Sequence, residues 1–165
     1  MWVSEGGIST PLIVHWPKGI KAKGELRHDM GHVINFVPTL LELAGAQVTN
    51  RWHGTAAPRL PGESLVPAFA GDGRLKTDEL FFDHEGNRSL RQRNWKLVSA
   101  REDNDEWQLF DLGKDRCEKA DLAAKDPKRV EQMRTRWAEL EKRFRGESGH
   151  REEAKRAKKR TSESE

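Results

Sequence analysis

The stretch ELFFDHEGNRSLRQRNWKLVSAREDNDEWQLFDL, residues 79–112, decides the fold of this 165-residue chain. Turn-forming groups (Glu-Gly-Asn, Arg-Asn and Asp-Asn-Asp) divide it into short segments of strand-like composition. The predicted strands are residues 80–83, 88–91, 95–99 and 107–111. Apolar side chains alternate with polar ones at Leu90, Trp95, Leu97 and Leu109. The pattern predicts a four-stranded antiparallel meander with one face on a core and one face in solvent.

A helix is predicted directly after the meander. Asp126 and Pro127 form a helix start, with a capping side chain followed by a proline in the first turn. Apolar residues then recur at steps of three and four: Val130, Met133, Trp137, Leu140 and Phe144. We expect this face to pack across the meander. Residues 147–165 have no apolar period and are predicted to be a disordered, charged tail, with transient helix at 152–160.

Before the meander, the run PLIVHW at residues 11–16 predicts a strand buried in a parallel or mixed sheet, with His15 hydrogen-bonded in that core or at its rim. The stretch HVINFVPTLLELAGA predicts a short helix, with Asn35 as N-cap, Pro38 in the first turn and Gly45 as the stop. Its apolar positions share one face that should cover a sheet: Val37, Leu40, Leu41 and Ala44. Predicted domains are residues 1–75, 76–146 and the tail at 147–165.

Composition narrows the function classes. The chain has 30 basic and 27 acidic side chains in an interleaved order, and its one dense basic group is KRAKKR at 155–160, so we predict no nucleic-acid surface. Cys117 is the single cysteine, which excludes an intrachain disulfide and a Cys-rich zinc site. No apolar run approaches the ~18 residues of a membrane span, and the first residues do not form a signal peptide.

The sequence offers few candidates for chemistry. His28 and His32 are an i, i+4 pair without a third ligand, so we predict no metal site. The cluster DHEGN at 83–87 has two readings: a loop that contacts substrate, or a hairpin closed by the side chains of Asp83 and Asn87. Phosphate-binding loops, dinucleotide motifs, nucleophile elbows and zinc-protease motifs are missing from the sequence. We therefore predict no catalytic residues in this chain.

Five segments together resemble a known family in order and spacing. They are SEGGISTPLIVHWPKGI, HVINFVPTLLELAGA, LPGESLVPAF, FFDHEGNRSLRQRNWKLVSA and WQLFDLGKDRCEKADLAAKDPKRVEQM. The chain resembles the C-terminal part of type I sulfatases, the arylsulfatase-like members of the alkaline phosphatase superfamily. The resemblance implies an α/β fold in which residues 11–16 belong to a partial alkaline-phosphatase-like sheet edge. An α+β subdomain follows, with a four-stranded antiparallel sheet and a packed C-terminal helix.

The resemblance also implies a chemistry. Sulfatases hydrolyse sulfuric esters with a formylglycine nucleophile, made from a Cys or Ser in C/S-x-P-x-R, and with a calcium ion. This chain has no such motif, since Cys117 is followed by Glu-Lys-Ala, and it has no paired Asp ligands for calcium. The family lysine that precedes Glu-Gly-Gly would fall just before Met1. We therefore expect an inactive C-terminal fragment without a cofactor of its own, in which His84 and Asn87 contact substrate.

Partners and rival functions follow from this expectation. The implied partner is the missing N-terminal catalytic part, and the full enzyme would bind a sulfated substrate. One alternative is a non-catalytic interaction protein that binds a partner or a sulfated polymer through the basic tail. Another is a phosphatase or phosphodiesterase relative of the same superfamily. The compartment stays open, because sulfatases of this type are often periplasmic or secreted and their signal would precede Met1.

Overall fold

The computed structural model describes residues 3–47, 51–57, 60–69, 75, 77–104 and 106–162, with side chains up to residue 147 except that of Trp52. Its helices are α1 (Glu5–Ile8), α2 (Phe36–Leu43, after a 3-10 turn at Val33–Asn35), α3 (Val66–Phe69) and α4 (Pro127–Ser162). Its strands are β1 (Arg51–Trp52), β2 (Thr55–Ala56), β3 (Glu79–His84), β4 (Asn87–Gln92), β5 (Trp95–Ser99) and β6 (Gln108–Asp111). The chain divides into unit 1, Met1–Thr10 with Phe81–Glu165, and unit 2, Pro11–Leu80.

Unit 1 contains the antiparallel meander, in which β3, β4, β5 and β6 lie side by side in sequence order. Strand β5 pairs with both β4 and β6, and the register aligns Leu90, Leu97 and Leu109 in one row across the three strands. The four predicted strands and the C-terminal helix are confirmed. The mixed helix and strand content that the fold class requires is confirmed as well.

Two residues make the turn between β3 and β4. Glu85 and Gly86 both have positive φ, +52° and +86°. Tight hairpins favour this left-handed conformation at both central positions, because it matches the right-handed twist of the strands. Glycine adopts it without steric cost, whereas Glu85 pays a small strain penalty. The turn therefore fixes which residues stand at the hairpin tip.

The first face of the sheet, which carries Leu90, Leu97 and Leu109, packs against α4. These leucines are fully buried with three side chains of the helix, Met133, Trp137 and Leu140. The Phe81 ring stacks on Trp137 with 5.3 Å between centroids. Asp126 caps α4 by accepting the backbone N–H of Arg129 at 3.1 Å. The predicted helix start and the packing face from Val130 to Leu140 are confirmed, whereas Phe144 is 38% exposed. The helix continues to Ser162, through residues for which composition predicts disorder.

The second face of the sheet carries Lys96, Val98 and Phe110, and we predicted it to be in solvent. It is buried instead, because the N-terminal segment, residues 3–9, lies on it. Val3 packs there in a second apolar cluster with Val98, Phe110 and Leu112. The prediction of one solvent-exposed face is therefore wrong: all of Lys96, Leu97, Val98 and Ser99 in β5 are buried.

Unit 2 is organised around polar side chains that bind backbone groups. Asn35 accepts the His32 N–H at 2.6 Å and donates to the Glu63 carbonyl at 2.8 Å. Thr39 donates its hydroxyl to the Asn35 carbonyl at 2.6 Å and accepts the Leu65 N–H at 2.8 Å. The Asn35 side chain thus serves the 3-10 turn that precedes α2, and it makes no capping bond to α2. The N-cap prediction is corrected on this point, whereas the Gly45 stop has the expected positive φ of +63°.

The strand predicted at residues 11–16 is not formed in this structure. The described sheets pair β1 with β2 and β3 through β6 with one another, and residues 11–16 join neither. Their side chains are exposed, including His15, and Ile13 reaches 89% exposure. The prediction of a buried strand, with a histidine in its core or at its rim, is therefore wrong for this chain, because a strand needs hydrogen-bonding neighbours.

The apolar face of α2 is likewise exposed within unit 2. Leu40 is 65% exposed, and Val37 is also open to solvent. The buried residue of this helix is Thr39. The helix and its boundaries are close to the prediction, but its apolar face covers no sheet of unit 2.

Candidate functional site

The two predicted substrate-contacting residues, His84 and Asn87, flank the β3–β4 turn. The Asn87 amide donates to the His84 carbonyl at 3.3 Å and accepts the Arg101 N–H at 3.3 Å. The His84 ring is 48% exposed, and its Nε2 lies 3.7 Å from a carboxylate oxygen of Glu85. Asn87 therefore closes the hairpin, as the second reading of this cluster holds, while His84 presents its ring at the hairpin tip.

Asp83 was predicted to close the hairpin together with Asn87, but its side chain contacts α4 instead. Its carboxylate lies 3.7 Å from the Arg145 guanidinium, across an exposed part of α4. Such solvent-exposed ion pairs contribute little to stability. The DHEGN cluster is thus a hairpin tip with one exposed imidazole and two exposed carboxylates.

Metal ligands do not gather in the part of the chain that the structure describes: no three His, Cys, Asp or Glu side chains lie within reach of one ion. His32 is partly buried, and desolvation lowers the pKa of its imidazole. Cys117 is exposed as a free thiol. Among the described residues, no helix has the length and apolar character that crossing a membrane requires.

A buried ionic cluster lies on the second face of the sheet, and sequence analysis missed it. Lys96 of β5 is fully buried, and its ammonium lies 3.0 Å from Glu5 Oε1 and 2.8 Å from Glu118 Oε1. Arg116 and Arg91 approach the other oxygen of Glu5, Oε2, at 3.5 Å and 3.8 Å. We call these five residues the Lys96 cluster. It joins three parts of the chain: α1, the sheet and the loop after β6.

Local structure places four of the five members of the Lys96 cluster. The strand register puts Arg91 directly opposite Lys96. Glu118 adopts a positive φ of +53° in a turn that Asp115 closes by accepting two backbone N–H groups. Glu5 begins α1, and its own N–H donates to Glu118 Oε2 at 2.7 Å. Two carboxylates are thereby brought to a pair of neighbouring cations.

Burial changes the chemistry of one cation in this cluster. Desolvation lowers the pKa of Arg91, while the Glu5 carboxylate partly restores that pKa and Arg116 lowers it further. Arg91 stays charged, because arginine does not lose its proton in proteins. Lys96 is sealed from solvent between carboxylates, so it can order the structure but cannot meet a substrate.

A signal for this buried face was present in the sequence. A face that meets only water should be polar, yet Phe82, Val98, Phe110 and Leu112 are apolar. Their positions alternate with those of the first face, so they required a second cover. Nothing in the sequence pattern identified Glu5 as the residue that would bring this cover.

Comparison with known proteins identifies the family. The profile of the family described as N-sulphoglucosamine sulphohydrolase, C-terminal, matches residues 1–145. The N-acetylglucosamine-6-O-sulfatase of Bacteroides thetaiotaomicron is 30% identical over 112 residues, which cover 64% of this chain and 19% of that protein. Arylsulfatase A of Bos taurus is 36% identical over 78 residues, which cover 47% of this chain and 14% of that protein.

Solved structures share the fold. One, of a protein in complex with its substrate D-glucosamine-2-N,6-O-disulfate, superposes with a TM-score of 0.59 at 23% identity. The match covers 81% of this chain and 28% of the solved chain. The chain spans about a quarter or less of the length of its curated relatives.

Proposed function

The chain belongs to the N-sulphoglucosamine sulphohydrolase C-terminal family, and from this premise we propose that it supports sulfuric ester hydrolysis without carrying the reactive groups itself. It is a C-terminal sulfatase region. The family reaction uses formylglycine and calcium, and the sequence offers neither the nucleophile motif nor a paired-Asp ligand set. The proposed role is to complete an N-terminal catalytic part, and the chain alone is inactive.

One observation carries this proposal: the apolar surface of unit 2. The side chains of Leu12, Ile13, Val14 and Trp16 are exposed, and so are those of Val37 and Leu40 on α2. Large apolar side chains exposed in this number within one unit are typical of an interaction surface. We propose that residues 11–16 pair as a strand with the sheet of the catalytic part, and that α2 covers that sheet.

His84 is the proposed substrate contact in the completed enzyme. Its ring stands at the exposed tip of a two-residue turn, where a histidine can donate or accept a hydrogen bond. Asn87 would act indirectly, because its amide already holds the turn. Sulfated amino sugars are the first substrates to assay, given the family description and the name of the Bacteroides relative.

The test is a transplant into a working relative. The C-terminal region of the Bacteroides N-acetylglucosamine-6-O-sulfatase is replaced by this chain, and sulfate release is measured with calcium and formylglycine-generating enzyme present. We expect turnover from the chimera and none from this chain alone. An Ile13→Asp, Val14→Asp chimera should lose activity, whereas a Lys114→Met chimera, altered at an exposed lysine, should keep it. Turnover by the isolated chain, free of other sulfatases, would contradict the proposal.

In the active chimera, His84→Ala should raise KM more than it lowers kcat, because the proposed contact binds substrate and does not react. Asn87→Ala should also lower the melting temperature of the chimera, because it removes the side-chain hydrogen bonds that hold the turn. Unchanged kinetics for His84→Ala would remove this residue from the site.

A second proposal is non-catalytic binding of a sulfated polymer through the basic residues 155–160. It is supported by the continuation of α4 to Ser162, which places these residues on a helix. Truncation after residue 146 should abolish salt-dependent retention on heparin. Retention by the truncated chain would contradict it.

A further inference from the structure

We propose that the second face of the sheet is an acceptor site for an acidic peptide, filled in this structure by the N-terminal segment, residues 3–9. The site lies wholly within unit 1. It consists of the cations of the Lys96 cluster beside the apolar side chains of Val98, Phe110 and Leu112. The proposal concerns binding alone and does not depend on sulfatase activity, so either can fail without the other.

The charges of the site explain why it takes a carboxylate. Arg91 and Lys96 stand directly opposite each other, an arrangement that is destabilising for like charges. Arg116 adds a third cation on the same side. Without the N-terminal segment, Glu118 is the one carboxylate of the cluster, which leaves an excess of two positive charges. A second carboxylate beside these cations would therefore reduce the repulsion between them.

Glu5 supplies this carboxylate with contacts from both of its oxygens. Its Oε1 accepts a hydrogen bond from the Lys96 ammonium at 3.0 Å. Its Oε2 lies at ion-pair distance from Arg116 and Arg91. The Glu5 backbone N–H also donates to Glu118 Oε2 at 2.7 Å, so one residue satisfies groups on both sides of the site.

The remaining contacts set the direction and register of the peptide. Val3, two residues before Glu5, is buried against Val98, Phe110 and Leu112. At the other end, the Arg116 guanidinium donates to the Ser9 hydroxyl at 2.7 Å. The site thus recognises an apolar residue, a one-residue spacer and an acidic residue. This is a peptide-recognition pattern, in which an apolar pocket and a fixed charge together determine register.

The test cuts the N-terminal segment from the rest of the chain and asks whether it stays bound to the second face of the sheet. A protease site is inserted between Thr10 and Pro11, both of which are exposed, and the purified full chain is cut. We expect the released decapeptide to stay bound during gel filtration and to appear by mass spectrometry with the larger fragment. Loss of the peptide from the cut protein would overturn the proposal.

Exchange then measures what the carboxylate contributes. Fluorescent peptides of residues 1–10 are added to the cut protein, with either the native sequence or Glu5→Gln. The protein is identical in both arms, so folding of a variant cannot confuse the result. We expect the Glu5→Gln peptide to bind at least about tenfold more weakly, because the buried cations lose a charged partner. Equal binding of the two peptides would overturn the acidic specificity.

A protein-side control completes the design. Lys96→Met should release the decapeptide after cutting, whereas Lys114→Met, at an exposed lysine, should retain it. Retention by a folded Lys96→Met protein, checked by circular dichroism, would show that apolar packing alone holds the segment and would overturn the proposed anchor.

Discussion

Unit 1 and unit 2 differ in the burial of their apolar side chains. In unit 1 both faces of the sheet are covered, one by α4 and one by the N-terminal segment, and two apolar clusters are buried. In unit 2 the apolar residues of the 11–16 run and most of those of α2 are exposed, and the described buried hydrophobic residues are Met30 and Leu65. Both units have amphipathic sequences. The difference shows that such a sequence buries its apolar face only where the chain also supplies the covering element.

The largest expected effect tests how unit 1 tolerates its buried charges. Lys96→Met should lower the free energy of unfolding by about 3–5 kcal/mol, because it leaves Glu5 and Glu118 buried without their shared cation. Lys114→Met is the matched control and should change it by less than about 1 kcal/mol. Urea unfolding followed by circular dichroism measures both. A small loss of unfolding free energy for Lys96→Met would mean that water reaches Glu5 and Glu118 easily. The second face of the sheet would then be less firmly covered than the structure indicates.

The next effect compares one leucine from each unit. Leu97→Ala should cost about 2–5 kcal/mol of unfolding free energy, because it opens a cavity in the fully buried centre of the sheet. Leu40→Ala, at an exposed position of α2, should stay within about 0.5 kcal/mol. The same denaturation measurement applies. Similar losses at both positions would show that α2 is buried in a core of unit 2, so that the two units would not differ in this respect.

A third experiment alters the exposed surface of unit 2 directly. Ile13→Ser combined with Leu40→Ser should reduce binding of a hydrophobic dye and reduce self-association in analytical ultracentrifugation. The unfolding free energy should change by less than about 1 kcal/mol, because neither side chain is buried. Unchanged dye binding would indicate that this surface is covered in solution.

The smallest effect concerns pH and the start of α4 in unit 1. Hydrogen bonds from the Arg129 backbone N–H and side chain lower the pKa of Asp126. A carboxylate with a lowered folded-state pKa stabilises above its unfolded pKa, and this stabilisation is lost as pH falls through the folded value. Asp126→Asn should keep a capping oxygen yet remove this part of the acid sensitivity. A pH titration of the melting temperature compares the two proteins, and parallel curves would contradict the assignment.

The sequence was a good guide wherever local pattern determined the structure. The four strands, the turn at Gly86 and the start of α4 at Pro127 follow from alternation, turn residues and capping, all of which act within a few residues. The resemblance to sulfatases was confirmed as well. These features need no knowledge of distant contacts.

The sequence failed where a distant segment determined the environment. Residues 11–16 have the composition of a buried strand, but no neighbour in the described sheets pairs with them. Lysine is a residue type that usually faces solvent. Lys96 is buried nevertheless, because a segment some ninety positions earlier covers it. Asn35 was predicted to cap α2 from its residue type and position. Its hydrogen bond to the Glu63 carbonyl, 28 residues later, could not be predicted from the local sequence. The site residues His84 and Asn87 stay predictions, since their proposed role needs groups that the proposed catalytic part would supply.

The burial of Lys96 gives this protein an internal reporter. Amine-reactive reagents modify accessible lysines quickly, and Lys96 is reached only when the N-terminal segment lifts from the sheet. Its acylation rate, read by peptide mass mapping against the exposed Lys114, therefore counts those openings. A single chemical labelling series would follow the motion of the segment without any engineered probe.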